Sequence, residues 1–312
     1  MSKHLKAIVK ECRYLLEQEL ADRLHQGKFQ DPGNTIKEPE ISVEDTALAF
    51  LIELAILRCF EEQIWQIPPQ LSTSSDYADI LERLFLARKI LQSEICVPLT
   101  YWDLSRITFS DPTLKTMLHH LIEAISPDEW RMENILGWIY QYFYDHTPEQ
   151  KQQGKFYTPE PIAEYIVSQV FDAFWDDQTD VRNCTLLDLG CGSGVFALRA
   201  FERLYALYSQ DGHHFQSGVH LNIPQQILEN HLFLVDNDPW ACQIAAINLY
   251  LKAKRVEPTC QIRKMNIFCA DALQRWEAEI PRQTTVCLGN ARRGDSPSDH
   301  CLPGRGRGGL KN

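Results

Sequence analysis

Apolar positions fall into two regimes along the chain. Through residues 1–150 they recur at helical spacing. Val43 to Trp65 carries Ala47, Leu48, Leu51, Leu54, Ala55 and Ile64 without a glycine or proline, until Pro68-Pro69 ends the run. Ile80 to Ile90 repeats the pattern with Leu81, Leu84, Phe85 and Ala87. The spacing predicts two more helices, over 111–124 and 128–145. Ser126-Pro127-Asp128-Glu129 supplies cap-type residues and a first-turn proline for the last of these. No repeat period is visible.

The pattern changes after Lys151-Gln152-Gln153-Gly154. A helix is expected over 161–175, with Ile162, Tyr165, Ile166 and Val170 on one face. Short apolar runs then alternate with helical stretches. Thr185 to Leu189, read as a buried strand, precedes a helix over 194–208, and His231 to Asp236 precedes a helix over 240–253. Ile262 to Phe268 and Thr284 to Leu288 are the third and fourth strands. Such alternation predicts a parallel sheet with helices on both faces, an α/β unit. Ser209 to Gln226, with Gly212, Gly218 and Pro224, reads as a surface insertion. His213, His214, His220 and His231 lie in or near it without a recognisable metal-ligand spacing.

The chain of 312 residues is long enough for roughly two domains. At 44% hydrophobic and 23% charged residues, it can bury a core. No apolar stretch approaches the ~18 residues of a membrane span, and the first residues lack a secretory pattern. Ten cysteines contain no C-x-x-C pair, which favours reduced thiols and a cytoplasmic location over a disulfide framework. The net charge of -11 means that any nucleic acid would have to be held by a local basic face.

Asp188-Leu189-Gly190-Cys191-Gly192-Ser193-Gly194 follows the first strand and opens a helix. Glycines there allow close backbone approach and leave amides free at a helix N-terminus. Gly192, Gly194 and Ala197 also fit a dinucleotide-binding variant, so the loop alone leaves a nicotinamide-dependent oxidoreductase open. S-adenosylmethionine is favoured by the flanking residues. Asp188 ends the strand just before the glycines, suited to an ammonium group. No acidic residue ends a second strand at the ~20-residue distance that dinucleotide enzymes use. Asp236, ending the second strand in Val235-Asp236-Asn237-Asp238-Pro239, can accept hydrogen bonds from ribose hydroxyls. Asp271, after the third strand, can accept one from an adenine amino group.

Upstream stand the helical run Ile135-Leu136-Gly137-Trp138-Ile139-Tyr140-Gln141-Tyr142-Phe143 and then Gly154-Lys155-Phe156-Tyr157-Thr158-Pro159. With the Asp188–Phe196 loop, the Asp236–Ala241 motif and Asn248-Leu249, this series resembles the adenine-specific (N6) DNA methyltransferases of restriction–modification systems. The likeness is to type IIG enzymes and type I modification subunits, and covers roughly residues 130–290. The resemblance implies a helical N-terminal domain (1–150) and an incomplete Rossmann-like S-adenosylmethionine-dependent methyltransferase domain (151–290). Phe156, Tyr157 and Thr158 would line the methionine end of the cofactor pocket. Asp188 with Gly190, Gly192 and Gly194 would form its floor, Asp236 would hold the ribose and Asp271 the adenine ring. The implied partners are double-stranded DNA and a restriction endonuclease domain or subunit, with no membrane.

The likeness breaks at the fourth strand. The family's [ND]-P-P-[YFW] motif accepts the hydrogens of the adenine amino group and stacks an aromatic ring on the flipped base. Here Asn290 is followed by Ala291-Arg292-Arg293-Gly294. Residues 291–312 hold five basic residues, two acidic ones and five glycines. Codons for Asn-Ala-Arg-Arg-Gly can spell Asn-Pro-Pro-Trp-Gly in a shifted frame, so the expectation is a frame change at Asn290, leaving Asn290 as the surviving catalytic residue, an aberrant tail and an inactive chain. The alternative is a non-catalytic cofactor-binding or interaction fragment whose Arg/Gly tail binds nucleic acid.

Overall fold

The structure, a computed structural model, describes residues 3–25, 43–66, 78–80, 82–86, 89, 111–145, 147, 158–174, 180–210 and 222–273. Phe156, Tyr157, the expected strand 284–288, Asn290 and the tail lie outside them.

The first layer is helical. Helix α1 (Lys3–His25) buries Leu5, Ile8, Val9, Cys12, Leu16 and Leu20, a stripe at helical spacing. Helix α2 (Val43–Phe60) is buried at every position from Thr46 to Phe60, as a helix surrounded by others must be. It runs into a π-helical turn, Glu61–Trp65. Arg58, buried in α2, pairs with Glu62 at 2.9 Å and stands over the Trp130 ring. Helix α3 (Asp111–Ile122) packs against α1.

The single helix expected over 128–145 is two. Helix α4 (Pro127–Trp130) starts on a capping box: the Ser126 hydroxyl accepts from the Glu129 amide, and the Glu129 carboxylate accepts from the Ser126 amide. Helix α5 (Ile135–Tyr144) follows after a turn. The break falls at Asn134, whose φ of -115° and ψ of 30° leave the helical region. Its side chain and that of Glu133 are engaged by helices far along the chain, so tertiary contacts override local propensity there.

The second layer contains a three-stranded parallel sheet in the order β1-β2-β3. Strand β1 (Leu186–Asp188) pairs with β2 (Leu232–Asp236), and β2 with β3 (Asn266–Cys269); Asp188 faces Leu234 and Asp236 faces Cys269. Helix α6 (Glu160–Phe174) precedes β1. Helix α7 (Val195–Gln210) follows β1, and a short helix α8 (Ile223–Gln226) and a π-helical turn, Ile227–His231, lead into β2. Helix α9 (Pro239–Val256) connects β2 to β3.

Helices α7 and α9 both pack on β2 and on each other, so these two share one face of the described sheet. Right-handed crossovers that advance in one direction place their helices on one side. The Thr185–Leu189 run is not buried as expected: Leu187 is 63% exposed and Leu189 58%, because β1 is the edge strand of the described sheet. On α6 the buried residues are Ala163, Val167 and Phe171, whereas Ile162, Tyr165, Ile166 and Val170 are exposed; the helix lies on α7 through its smaller face.

The two layers share one core. Phe60 of α2 stacks on Tyr250 of α9, centroids 5.7 Å apart, and Arg255 of α9 donates to the Gln63 side chain at 2.6 Å. Within the sheet layer, His231 is a buried structural residue. Its Nδ1 lies 2.5 Å from the Cys184 carbonyl and must donate there, so Nε2 accepts from the Tyr208 hydroxyl at 2.7 Å.

Burial holds His231 below its ordinary value of 6.5, the Cys184 carbonyl opposing this in part. The unfolded chain therefore takes up a proton first as pH falls through 6.5. Stability from this group is full above that pH and lost towards the folded-state value. Urea titrations at pH 7.5 and 5.5 are expected to show a loss on acidification that is smaller in His231→Asn. That variant should be about 1–2 kcal/mol less stable at pH 7.5, having lost the Tyr208 acceptor. Equal acid sensitivity in both proteins would contradict the assignment.

Candidate cofactor site

The carboxyl ends of the three strands lie on one edge of the sheet, where open α/β sheets bind ligands. After Asp188 the chain turns sharply through Gly190 to Gly194. Gly192 has φ of 51° and Gly194 of 87°, left-handed values that disfavour a side chain. At Gly194 a Cβ would also stand 3.1 Å from the Cβ of Ala245, so the absence of a side chain lets α7 approach α9. At Gly190 a Cβ would meet nothing within 4 Å, which leaves open space over the turn.

The turn is tied to β2. The Cys191 amide donates to the Val235 carbonyl at 3.1 Å, extending the strand pairing by one step. The Gly192 amide donates to Asp236 Oδ2 at 2.8 Å, and the Asp238 amide donates to Asp236 Oδ1 at 2.9 Å. One carboxylate thus bridges the glycine turn and the start of α9. Asp238 in turn caps α9: its Oδ1 accepts from the Trp240 amide at 2.9 Å, and its Oδ2 accepts from the Tyr140 hydroxyl of α5.

Asp188 is less satisfied. Its Oδ1 accepts from the Gly190 amide at 3.2 Å, while its Oδ2 is buried without a hydrogen-bond partner. Burial raises its pKa above the ordinary 3.8, the Gly190 amide pulls it down, and the charge of Asp236 pushes it up again. A buried, unpartnered carboxylate oxygen beside open space is suited to a cationic ligand group.

Ala270 continues β3, its amide donating to the Asp236 carbonyl at 2.8 Å. Asp271 follows at the same edge, exposed, its Oδ1 accepting from the Leu273 amide at 2.9 Å. The structure therefore brings Asp188, Gly190, Gly192, Gly194 and Asp236 together and sets Asp271 just beyond them. Thr158 precedes α6 by two residues, and α6 lies along α7, the helix that the turn opens.

Thiols underlie this edge. Cys242 donates to the carbonyls of Asp236 and Phe268, each at 3.6 Å. The adjacent Cys191 thiol and burial drive its pKa upward, so it stays protonated at neutral pH. Cys242 is core, not chemistry.

Residues to which the motifs assign no role also reach the site. Tyr140, Asn134 and Gly137 come from the helical layer, and Ser193 and Asn248 meet them. Gly137 and Tyr140 stand in the Ile135–Phe143 run, Ser193 in the glycine loop and Asn248 beside Leu249, so four of the five lie in motifs legible in the sequence. Their roles were not legible, because the partners of Asn248 lie 55 and 114 positions away.

Residues 131–292 match the N-6 DNA Methylase family. The chain is 30% identical over 126 residues to the type I restriction enzyme MjaIX methylase subunit of Methanocaldococcus jannaschii, covering 40% of this chain and 18% of that protein. It is 24% identical over 186 residues to the adenine-specific methyltransferase BrxX of Escherichia coli O9:H4 (strain HS), covering 45% of this chain and 15% of that protein. The chain therefore spans under a fifth of the length of these curated relatives. Among solved structures it is similar to a DrdV–DNA complex, with a TM-score of 0.47 and 17% identity, covering 86% of this chain and 25% of that one; the likeness is too distant to bear on function. The family match runs from the turn before α5 across the glycine turn and all three strands, more than half of the chain, and the protein belongs to the N-6 DNA methylase family.

Proposed function

We propose that this chain carries the cofactor-binding half of a Rossmann-like, S-adenosylmethionine-dependent DNA adenine N6-methyltransferase, and that as it stands it binds cofactor without transferring methyl groups efficiently. The observation that carries the reading is the meeting of Asp188, the glycine turn and Asp236 at one sheet edge, with Asp188 Oδ2 buried and unpartnered. The residues fit the cofactor: Asp188 is suited to the methionine ammonium, Asp236 to the ribose hydroxyls and Asp271 to the adenine amino group. Phe156, Tyr157 and Thr158 would close the methionine end. When bound, the cofactor supplies an electrophilic methyl group on a sulfonium.

The acceptor side of the site is weaker. Asn290 can accept a hydrogen from an adenine amino group, but Ala291-Arg292-Arg293 offers no proline carbonyl in the required place and no stacking ring. Arginine side chains donate only and cannot replace an acceptor. The partners we infer are double-stranded DNA and a restriction endonuclease domain or subunit, and the compartment the cytoplasm. No described helix is long and apolar enough to cross a membrane.

Calorimetric titration of S-adenosylmethionine into the full chain tests the cofactor reading, binding being the expected result and its absence the contrary one. Asp188→Asn is expected to weaken binding about tenfold or more, the loss of one charge-assisted hydrogen bond. The same variant should melt higher than the wild type at pH 8, where the poorly satisfied carboxylate is ionised. A group whose folded pKa is raised costs stability in full above that pKa, so the gain should hold there and shrink as pH falls through it towards 3.8. Wild-type affinity should fall over the same window, above 3.8, as Asp188 takes up a proton. A variant that neither loses affinity nor gains stability at pH 8 would remove Asp188 from the site.

Asp236→Ala is expected to lose about 2–3 kcal/mol of binding free energy, through the ribose contacts and the loosened Gly192 amide. Unchanged affinity would separate Asp236 from the cofactor.

Tritiated-methyl transfer into DNA containing all short sequence contexts is expected to be undetectable with the unmodified chain. Robust transfer would show that Asn290 works with groups other than a Pro-Pro-aromatic motif.

A further inference from the structure

We propose that Asn134 and Asn248 are positioning residues for the glycine turn, holding Ser193 from the helical layer so that the turn keeps the shape that the cofactor requires. The inference rests on the cofactor reading above. Asn248 lies on α9 and is buried, as are Asn134 and Ser193. Its Nδ2 donates to Asn134 Oδ1 at 2.9 Å and to the Ser193 carbonyl at 3.0 Å. An amide nitrogen carries two hydrogens, and both are used here on two buried carbonyl oxygens.

Ser193 sits between two glycines in left-handed conformations, so its carbonyl direction defines the turn. Without Asn248 that carbonyl would be a buried acceptor lacking this donor. A leucine would supply no hydrogen, and an ionised aspartate would face the two oxygens with like charge.

Helix α5 presses on the same residue. At Gly137 a Cβ would stand 2.2 Å from Asn134 Oδ1 and 2.4 Å from Ser193 Oγ, closer than any side chain tolerates. Glu133, next to Asn134, pairs with Arg199 of α7 and Lys252 of α9, and Glu202 pairs with the same two cations at 2.9 and 2.6 Å. The break between α4 and α5 is thus anchored on both helices that flank the turn. The helical layer acts as the third wall of the clamp, through contacts that reach no cofactor atom.

The test compares Asn248→Ala and Gly137→Ala with the wild-type full chain by amide hydrogen exchange and by titration with S-adenosylmethionine. Leu16→Ala, a cavity variant in α1, controls for general destabilisation. Exchange over residues 191–195 is expected to rise roughly tenfold or more in both clamp variants, relative to β2 and β3, with cofactor affinity falling by a similar factor. Glycine to alanine within a helix ordinarily stabilises it. Loosening of the turn in Gly137→Ala without loss of helix is therefore a signature that a general structural defect does not produce. Should Asn248→Ala fail to fold, Gly137→Ala decides alone. Unchanged exchange at 191–195 would overturn the proposal, as would an equal selective rise in Leu16→Ala. If the wild type does not bind S-adenosylmethionine, the cofactor reading falls, and the exchange result still decides whether the clamp holds the turn.

Discussion

The carboxylate of Asp236 is the tie on which the site end of this molecule depends. It ends the central strand and accepts the amide of Gly192 on one oxygen and that of Asp238 on the other. Through the first it sets the glycine turn after β1; through the second it sets the start of α9. Backbone amides at such turns and helix starts have no intrahelical partner, and an anion is the efficient way to satisfy them. With the two ends joined, β1, β2 and both connecting helices share one geometry.

Behind that tie the helical layer does more than cover apolar surface. Tyr140 reaches Asp238, Asn134 reaches Asn248, and Glu133 bridges Arg199 and Lys252. Phe60 stacks on Tyr250 in the same interface. Polar contacts of this kind are costly when incomplete, so they fix the relative position of the layers more narrowly than apolar packing would. Rigid support behind a turn keeps its backbone groups and the side chains beside it in one geometry. Asp188 is the exception: its second oxygen is left unsatisfied, which costs stability.

Much of the element order was legible from apolar spacing and breakers. The runs over 43–65, 111–124, 194–208 and 240–253 correspond to helices, and the runs over 185–189, 231–236 and 262–268 to the strands Leu186–Asp188, Leu232–Asp236 and, starting four residues later than expected, Asn266–Cys269. The motif residues of the turn could be read for the same reason: a glycine turn between strand and helix, followed by acidic residues at later strand ends, is a local pattern with a local cause. The resemblance in those motifs led to the family that the match over 131–292 shows.

What the sequence by itself determined, then, is the helix or strand type of those runs, and which residue types stand at the strand ends, because both follow from interactions within a few residues. Only the tertiary structure decided where the expected helix over 128–145 breaks, which face of α6 is buried, that Leu187 of β1 is exposed and that α7 and α9 share a face of the described sheet. It also decided that Asn134, Gly137 and Tyr140 belong to the site. Each of those outcomes turns on partners in other elements, well beyond the reach of local periodicity, or on which side of a sheet a connection crosses. Neither leaves a trace in local periodicity, since Asn134 reads as an ordinary polar helix residue until Asn248 is packed against it.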